Sequence, residues 1–203
     1  MSAGKTVVID YQTGNLNSAC KSLRAVGADL LVTERHEDLK NAARIVLPGV
    51  GHFASTERLM NTGIGDALRD RVADGVPFLG ICVGLQWLFA GSTEAPETPG
   101  LGVFPEVCEH FPAGIKSPHV GWNSLDLVRE SRLLHDLPPS PYVYFTHSYR
   151  APVVTATVAV TNYGDAFCAV IEQANWMAVQ FHPEKSGDVG LKILENFMKV
   201  SGC

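Results

Sequence analysis

Four short apolar runs in the first half of the chain, Thr6–Asp10, Leu30–Thr33, Arg44–Leu47 and Pro77–Ile81, leave few folds open. Each has the length of a buried strand, and helical periodicity fills the gaps between them. Leu16, Ala19, Leu23 and Val26 share one helical face, and Gly27 ends that helix. Asp38–Ala43 reads as a short helix. Ala54–Met60 reads as a helical stretch interrupted at Asn61-Thr62-Gly63, and Asp66–Ala73 as a further helix. The fourth run passes directly into a helix from Val83 to about Phe89. Strands joined by helices pair in parallel through right-handed crossovers. The expected fold class is therefore α/β, a central mostly parallel sheet flanked by helices.

The second half differs. Ala95–Gly100 carries two prolines and a glycine and reads as a loop. Strands are expected around Val103–Phe111, Asn123–Val128, Tyr142–Tyr149, Val153–Thr161, Cys168–Gln173 and Met177–Phe181, with a hairpin turn at Ala174-Asn175. A final helix presents Val189, Ile193, Phe197 and Val200 on one face, with Gly202 as its stop. The shift in pattern near residue 95 admits a domain boundary. The final helix suits the parallel sheet, however, so residues 1–203 read as one domain whose second half is an antiparallel β elaboration.

Composition narrows the function. Hydrophobic residues make up 46% and charged ones 18%, enough to bury a core and too apolar for a disordered chain. Sixteen basic and 21 acidic residues give a net charge of −5, with no basic patch, which disfavours a nucleic-acid or anionic-membrane binder. Runs such as Val76–Leu79 and Leu101–Pro105 are too short to span a bilayer. The first residues lack the pattern of a signal peptide. Five cysteines at irregular spacing, with no C-x-x-C pair, argue against a disulfide framework and for a reducing cytoplasm.

The sharpest local signal is Phe78-Leu79-Gly80-Ile81-Cys82-Val83-Gly84-Leu85-Gln86. It is the cysteine form of a nucleophile elbow, a strand meeting a helix at a turn crowded enough to need glycines. Cys82 would sit at a helix N-terminus, whose partial positive charge favours a thiolate, and the Val83 N–H would face an oxyanion. The pentapeptide alone fits a small buried cysteine at a tight turn equally well. A base is offered by Gln180-Phe181-His182-Pro183-Glu184-Lys185-Ser186. Pro183 biases His182 toward an extended backbone, which would send His182 and Glu184 to the same side. Alone, such a pair is more often a surface feature. With the elbow, Cys82, His182 and Glu184 make a Cys-His-Glu triad. Leu47-Pro48-Gly49-Val50-Gly51 follows a strand and offers backbone N–H groups to an oxyanion. It also fits an ordinary loop, and it lacks the Lys and Ser/Thr of a phosphate-binding loop. The other histidines, His36, His52, His110, His119, His135 and His147, show no metal-binding spacing, so no metal is expected.

In this order the three elements resemble the class I (triad) glutamine amidotransferases, from Val8 to about Ser186. Within that class the chain is similar to the glutaminase subunits of imidazole glycerol phosphate synthases. The segments that carry this are Asp10-Tyr11-x-x-Gly14-Asn15-Leu16-x-Ser18, Pro118-His119-Val120-Gly121-Trp122-Asn123 and Tyr144-Phe145-Thr146-His147-Ser148-Tyr149. His52 stands where the family more often has a small residue. The resemblance implies that Cys82 forms a glutamyl thioester, that His182 is acid and base, and that Glu184 orients it. It implies an oxyanion hole from Gly49, Val50, Gly51 and Val83, and glutamine binding by Gln86, Glu94, Ser148 and Tyr149. It further implies no cofactor and a (β/α)₈-barrel cyclase partner, which uses the ammonia to make imidazole glycerol phosphate and AICAR. Asn15, Ser18, Trp122, Asn123, Tyr144 and Lys185 match positions near that interface. One amidotransferase domain takes up nearly the whole length, so the ammonia is expected to be used by another polypeptide. The alternatives are a glutaminase serving another acceptor, such as in pyridoxal phosphate synthesis, a stand-alone cysteine hydrolase, and a non-catalytic scaffold. The last two segments above argue against the first two, and the intact triad against the third.

Overall fold

The structure is a computed structural model that describes residues 4–12 and 14–201; the proposed stop at Gly202 lies outside them. In chain order the elements are β1 Thr6–Ile9, α1 Leu16–Ala25, β2 Leu30–Thr33, β3 Arg44–Gly49, α2 Glu57–Asn61, α3 Ile64–Ala73, β4 Phe78–Cys82 and α4 Val83–Gln86. There follow β5 Phe89–Ser92, β6 Phe104–His110, β7 His119–Ser124, β8 Asp126–Leu127, β9 Tyr142–His147, β10 Tyr149–Arg150, β11 Thr157–Tyr163, β12 Asp165–Gln173, β13 Trp176–Val179 and α5 Gly187–Lys199.

The main sheet has eight strands in the order β2-β1-β3-β4-β13-β12-β11-β8. The four strands of the first half run parallel, and β13 joins them as a fifth by pairing parallel with β4. From β13 outward the sheet turns antiparallel through β12, β11 and β8. Two smaller sheets lie outside it: β10-β6-β5, in which β10 pairs antiparallel and β5 parallel with β6, and the antiparallel pair β7-β9.

Alternation along each strand splits the core in two, one half on each face. Val8, Val46, Leu79 and Ile81 pack on one side with Cys20 and Leu23 of α1 and Ile193, Leu194 and Phe197 of α5. Val7, Ile9, Ile45, Leu47 and Phe78 pack on the other with Ile64, Leu68 and Val72 of α3. Burial on both faces is why these strands read as continuous apolar runs.

Several expected elements are revised. Asp38–Ala43 is a 3₁₀ turn over His36–Asn41. The strand expected over Asn123–Val128 is two pieces, β7 beginning at His119 and a separate β8, and the Val153–Thr161 strand begins only at Thr157. The helix expected to reach Phe89 stops at Gln86. Beyond it the carbonyls of Trp87, Leu88, Phe89 and Ala90 accept from the N–H groups of Leu101, Phe104, Gly102 and Gly100. These non-local bonds satisfy the backbone in place of further helical turns. Gly100 permits the approach, since a Cβ there would press on the Trp87 and Phe89 carbonyls.

Candidate active site

β4 lies between β3 and β13 in the middle of the sheet, so its C-terminal end collects residues from three strands. Cys82 occupies that end with φ 55° and ψ −105°. Such a conformation costs a non-glycine residue about 1–3 kcal/mol and is held only by its surroundings. The flanking glycines show what holds it. A Cβ on Gly80 would lie 2.5 Å from the Gly84 carbonyl oxygen, and one on Gly84 would collide with the Leu47 carbonyl oxygen of β3. The elbow is thus packed backbone against backbone. Gly49 stands opposite Cys82 in the β3–β4 register, and a Cβ there would strike the Tyr11 hydroxyl and lie 3.1 Å from Val83 Cβ.

His182 follows β13 and is completely buried. Its backbone is extended, φ −102° and ψ 97°, and its N–H donates to the Tyr144 carbonyl at 2.9 Å. The segment does not stay extended, however. Pro183–Lys185 forms a 3₁₀ turn that curls Glu184 back toward the ring. His182 Nδ1 lies 2.7 Å from Glu184 Oε1, both side chains about 1% exposed. The turn is closed by the Lys185 N–H and the Ser186 hydroxyl, both donating to the His182 carbonyl. A carboxylate at Nδ1 makes that nitrogen the donor and leaves Nε2 to act on a substrate. Nε2 is buried with no hydrogen-bond partner among the described residues, as is Glu184 Oε2. Burial works against the imidazolium, but the Cys82 sulfur and then the Glu184 carboxylate outweigh it, raising the imidazole to about 10.

A cavity of about 280 Å³ opens over Cys82. Among the residues matched to glutamine binding, Gln86, Glu94, Ser148 and Tyr149 all line it, as do Val50, Gly51 and Val83. Gly49 packs beneath the elbow rather than lining the cavity. Glu94 is fixed by the Phe53 N–H, which donates to its Oε2 at 2.8 Å. Gln86 is buried and its Nε2 donates to the Tyr149 carbonyl at 2.8 Å and to Gln180 Oε1 at 3.2 Å. Gln180 in turn donates from Nε2 toward Cys82 Sγ at 3.6 Å. Sequence reasoning missed Gln180, whose place beside Cys82 depends on the pairing of β13 with β4. A larger cavity of about 880 Å³, beside Arg132, Glu172 and Asn196, contains none of these residues.

The residues matched to a partner interface fall at several places. Asn15 and Lys185 line the cavity over Cys82, and the Asn15 amide donates to Glu184 Oε1, so Asn15 is bonded to the carboxylate that holds His182. Ser18 is exposed on α1. Trp122 of β7, 55% exposed, lies edge-on to Tyr144 of β9 at 6.1 Å, and the Lys185 ammonium lies 5.8 Å from the Tyr144 ring. Val120 and Tyr142 extend this exposed apolar face. Asn123 belongs to the opposite row of β7, where its amide donates to the Asn162 carbonyl at 3.0 Å.

Among the described residues no helix is long and apolar enough to cross a membrane, and no cluster of three or more His, Cys, Asp or Glu is placed to hold a metal ion.

Comparison with known proteins agrees with this geometry. Residues 7–200 match the family model of the class-I glutamine amidotransferases. A Synechocystis sp. protein named imidazole glycerol phosphate synthase subunit HisH is 46% identical over 203 residues, covering 97% of this chain and 96% of its own. The protein of that name from Methanothermobacter thermautotrophicus is 45% identical, covering 95% and 97%. A solved structure described as a glutamine amidotransferase shares the fold, with a TM-score of 0.73 at 23% identity over 95% of this chain and 98% of that one. An elbow cysteine that lines a cavity and a buried imidazole–carboxylate pair thus coincide with family likeness along nearly the whole sequence, and the chain belongs to the class-I glutamine amidotransferase family.

Proposed function

We propose that this chain is the glutaminase subunit of an imidazole glycerol phosphate synthase, with Cys82, His182 and Glu184 as its catalytic triad. The observation that carries the reading is the buried His182–Glu184 pair standing behind an elbow cysteine at the floor of one cavity. Glutamine enters with its side-chain amide toward Cys82 and its amino-acid end toward Glu94, Ser148 and Tyr149. The Glu94 carboxylate supplies the charge for the substrate ammonium.

His182 takes the proton of Cys82, and the thiolate attacks the amide carbon. The resulting oxyanion is met by N–H groups of Val50 and Gly51 and of Val83 at the start of α4. The C–N bond then breaks as His182 returns the proton to the leaving nitrogen, releasing ammonia and leaving the thioester. Water, deprotonated by His182, attacks the thioester, and the C–S bond breaks to give glutamate and free Cys82. Glu184 keeps the imidazole oriented and supports its positive charge through both halves. Gly51, at φ 109°, gives the oxyanion loop a backbone freedom that other residues lack.

The partner is a (β/α)₈-barrel cyclase that consumes the ammonia, and its docking surface is the face of Val120, Trp122, Tyr142 and Tyr144. An exposed apolar patch beside a catalytic cavity is the physical support for this placement. In the assembled enzyme Cys82→Ala is expected to abolish product formation from glutamine and to leave formation from added ammonia intact. Glutamine-dependent synthesis at the wild-type rate in that variant would overturn the assignment.

A further inference from the structure

Two buried histidines outside the triad, His119 of β7 and His147 of β9, are hydrogen-bonded into a line that no step above uses. The Tyr149 carbonyl accepts from His147 Nδ1 at 2.9 Å. A carbonyl cannot donate, so Nδ1 carries the proton and Nε2 of the neutral ring is an acceptor. His119 Nδ1 lies 3.3 Å from that Nε2 and must donate to it. His119 Nε2 is then an acceptor as well, and the Asn123 amide nitrogen stands 3.4 Å away. Every link therefore has the same direction: Asn123 to His119, His119 to His147, and His147 to the Tyr149 carbonyl. Both rings are kept neutral by burial, His119 lowered to about 4 and His147 to about 3.

The rings have little room to turn. His119 is stacked on Tyr163 at 3.9 Å and on Phe145 at 4.8 Å. The line begins one residue from Trp122, on the strand whose outer row carries the docking face. It ends on the carbonyl that also accepts from Gln86, and Gln86 leads through Gln180 to the Cys82 sulfur.

We infer that His119 and His147 are positioning residues for glutamine, fixing the Tyr149 carbonyl, and through it Gln86, in register with the β7 strand that faces the partner. The inference rests on the functional reading above and deepens it. In the complex, β7 is pressed by the partner, and the directional line carries its position to the pocket wall.

The test uses the full chain with its cyclase and nucleotide ligand, measuring KM and kcat for glutamine, complex affinity and Tm. His119→Phe keeps the ring stack and loses both hydrogen bonds. His147→Leu removes the donor to Tyr149, and His147→Asn restores an N–H near the Nδ1 position. Loss of one net hydrogen bond at the pocket wall is expected to raise KM roughly fivefold in H119F and H147L. In both, kcat should stay within about twofold, complex affinity and Tm near wild type, with recovery in H147N. Unchanged KM in both H119F and H147L, or no recovery in H147N, overturns the inference. So does a parallel fall of kcat, affinity and Tm, the mark of a packing role. A wild-type complex that hydrolyses no glutamine overturns the functional reading and this inference together, whereas a working wild type beside indifferent variants overturns the inference alone.

Discussion

The imidazole of His182 is fully buried between the Cys82 sulfur and the Glu184 carboxylate, and that arrangement governs its charge. With its pKa raised to about 10, the ring holds a proton once it has taken one from Cys82. Glu184→Gln removes the carboxylate that orients the ring and supports its charge. The expected result is a fall in kcat of about 10²–10⁴-fold, by analogy with loss of the carboxylate from other triads. The alkaline limb of the pH–rate profile should move to lower pH, because the imidazolium has lost a stabilising partner. A pH–rate profile of the variant in the assembled enzyme checks both. At this scale the sequence was most legible for groups held by short-range geometry. Cys82 between two glycines and Glu184 two residues after His182 are local patterns. Gln180, His119 and His147 are linked by hydrogen bonds between separate elements, such as Gln180 to Gln86 and His119 to His147. Their roles depend on strand order and register, which no local pattern encodes.

Among the elements, the parallel strands were legible as short continuous apolar runs, and α1, α3 and α5 because each buries one face at helical period. What was not legible had non-local causes. The early end of α4 comes from bonds to residues 100–104, and the reach of Glu184 comes from a 3₁₀ turn instead of strand alternation. The elbow itself is a junction of three strands and a helix start, and its glycines are there for space. Gly84→Ala places a Cβ against the Leu47 carbonyl oxygen, a backbone atom that cannot swing aside. The expected loss is about 1–3 kcal/mol of stability, together with displacement of Cys82. Denaturant titration beside glutaminase activity tests this: a variant of wild-type stability and rate would show that the packing of the elbow is looser than the geometry requires.

For the whole molecule, the buried histidines impose a pH window. His119 and His147 have pKa values lowered to about 4 and about 3, so the unfolded chain binds more protons than the folded one between those values and the ordinary imidazole value near 6.5. Their contribution is intact above about 6.5 and is lost as pH falls toward 4 and then 3. His182 has the opposite sign: its contribution is present below about 6.5 and is lost as pH rises through about 10. Urea unfolding across pH should show stability falling on both sides of neutrality, with the acid-side slope reduced in His147→Asn. At the same scale, the chain divides its labour along the sheet. The parallel half supplies the elbow and the Gly49–Gly51 loop, β13 leads to His182, and the second half supplies Tyr149, the histidine line and the exposed Trp122 face. The cavity over Cys82 and the proposed docking face are neighbours through Lys185, which lines the one and lies 5.8 Å from the Tyr144 ring of the other. The rate of glutamine hydrolysis by the purified chain, alone and with its cyclase and nucleotide ligand, decides whether Cys82 serves a glutaminase that depends on a partner. Hydrolysis is expected to be slow alone and to increase greatly in the complex, with loss on Cys82→Ala; an equal rate with and without the partner, or a rate that survives Cys82→Ala, would rule out that role.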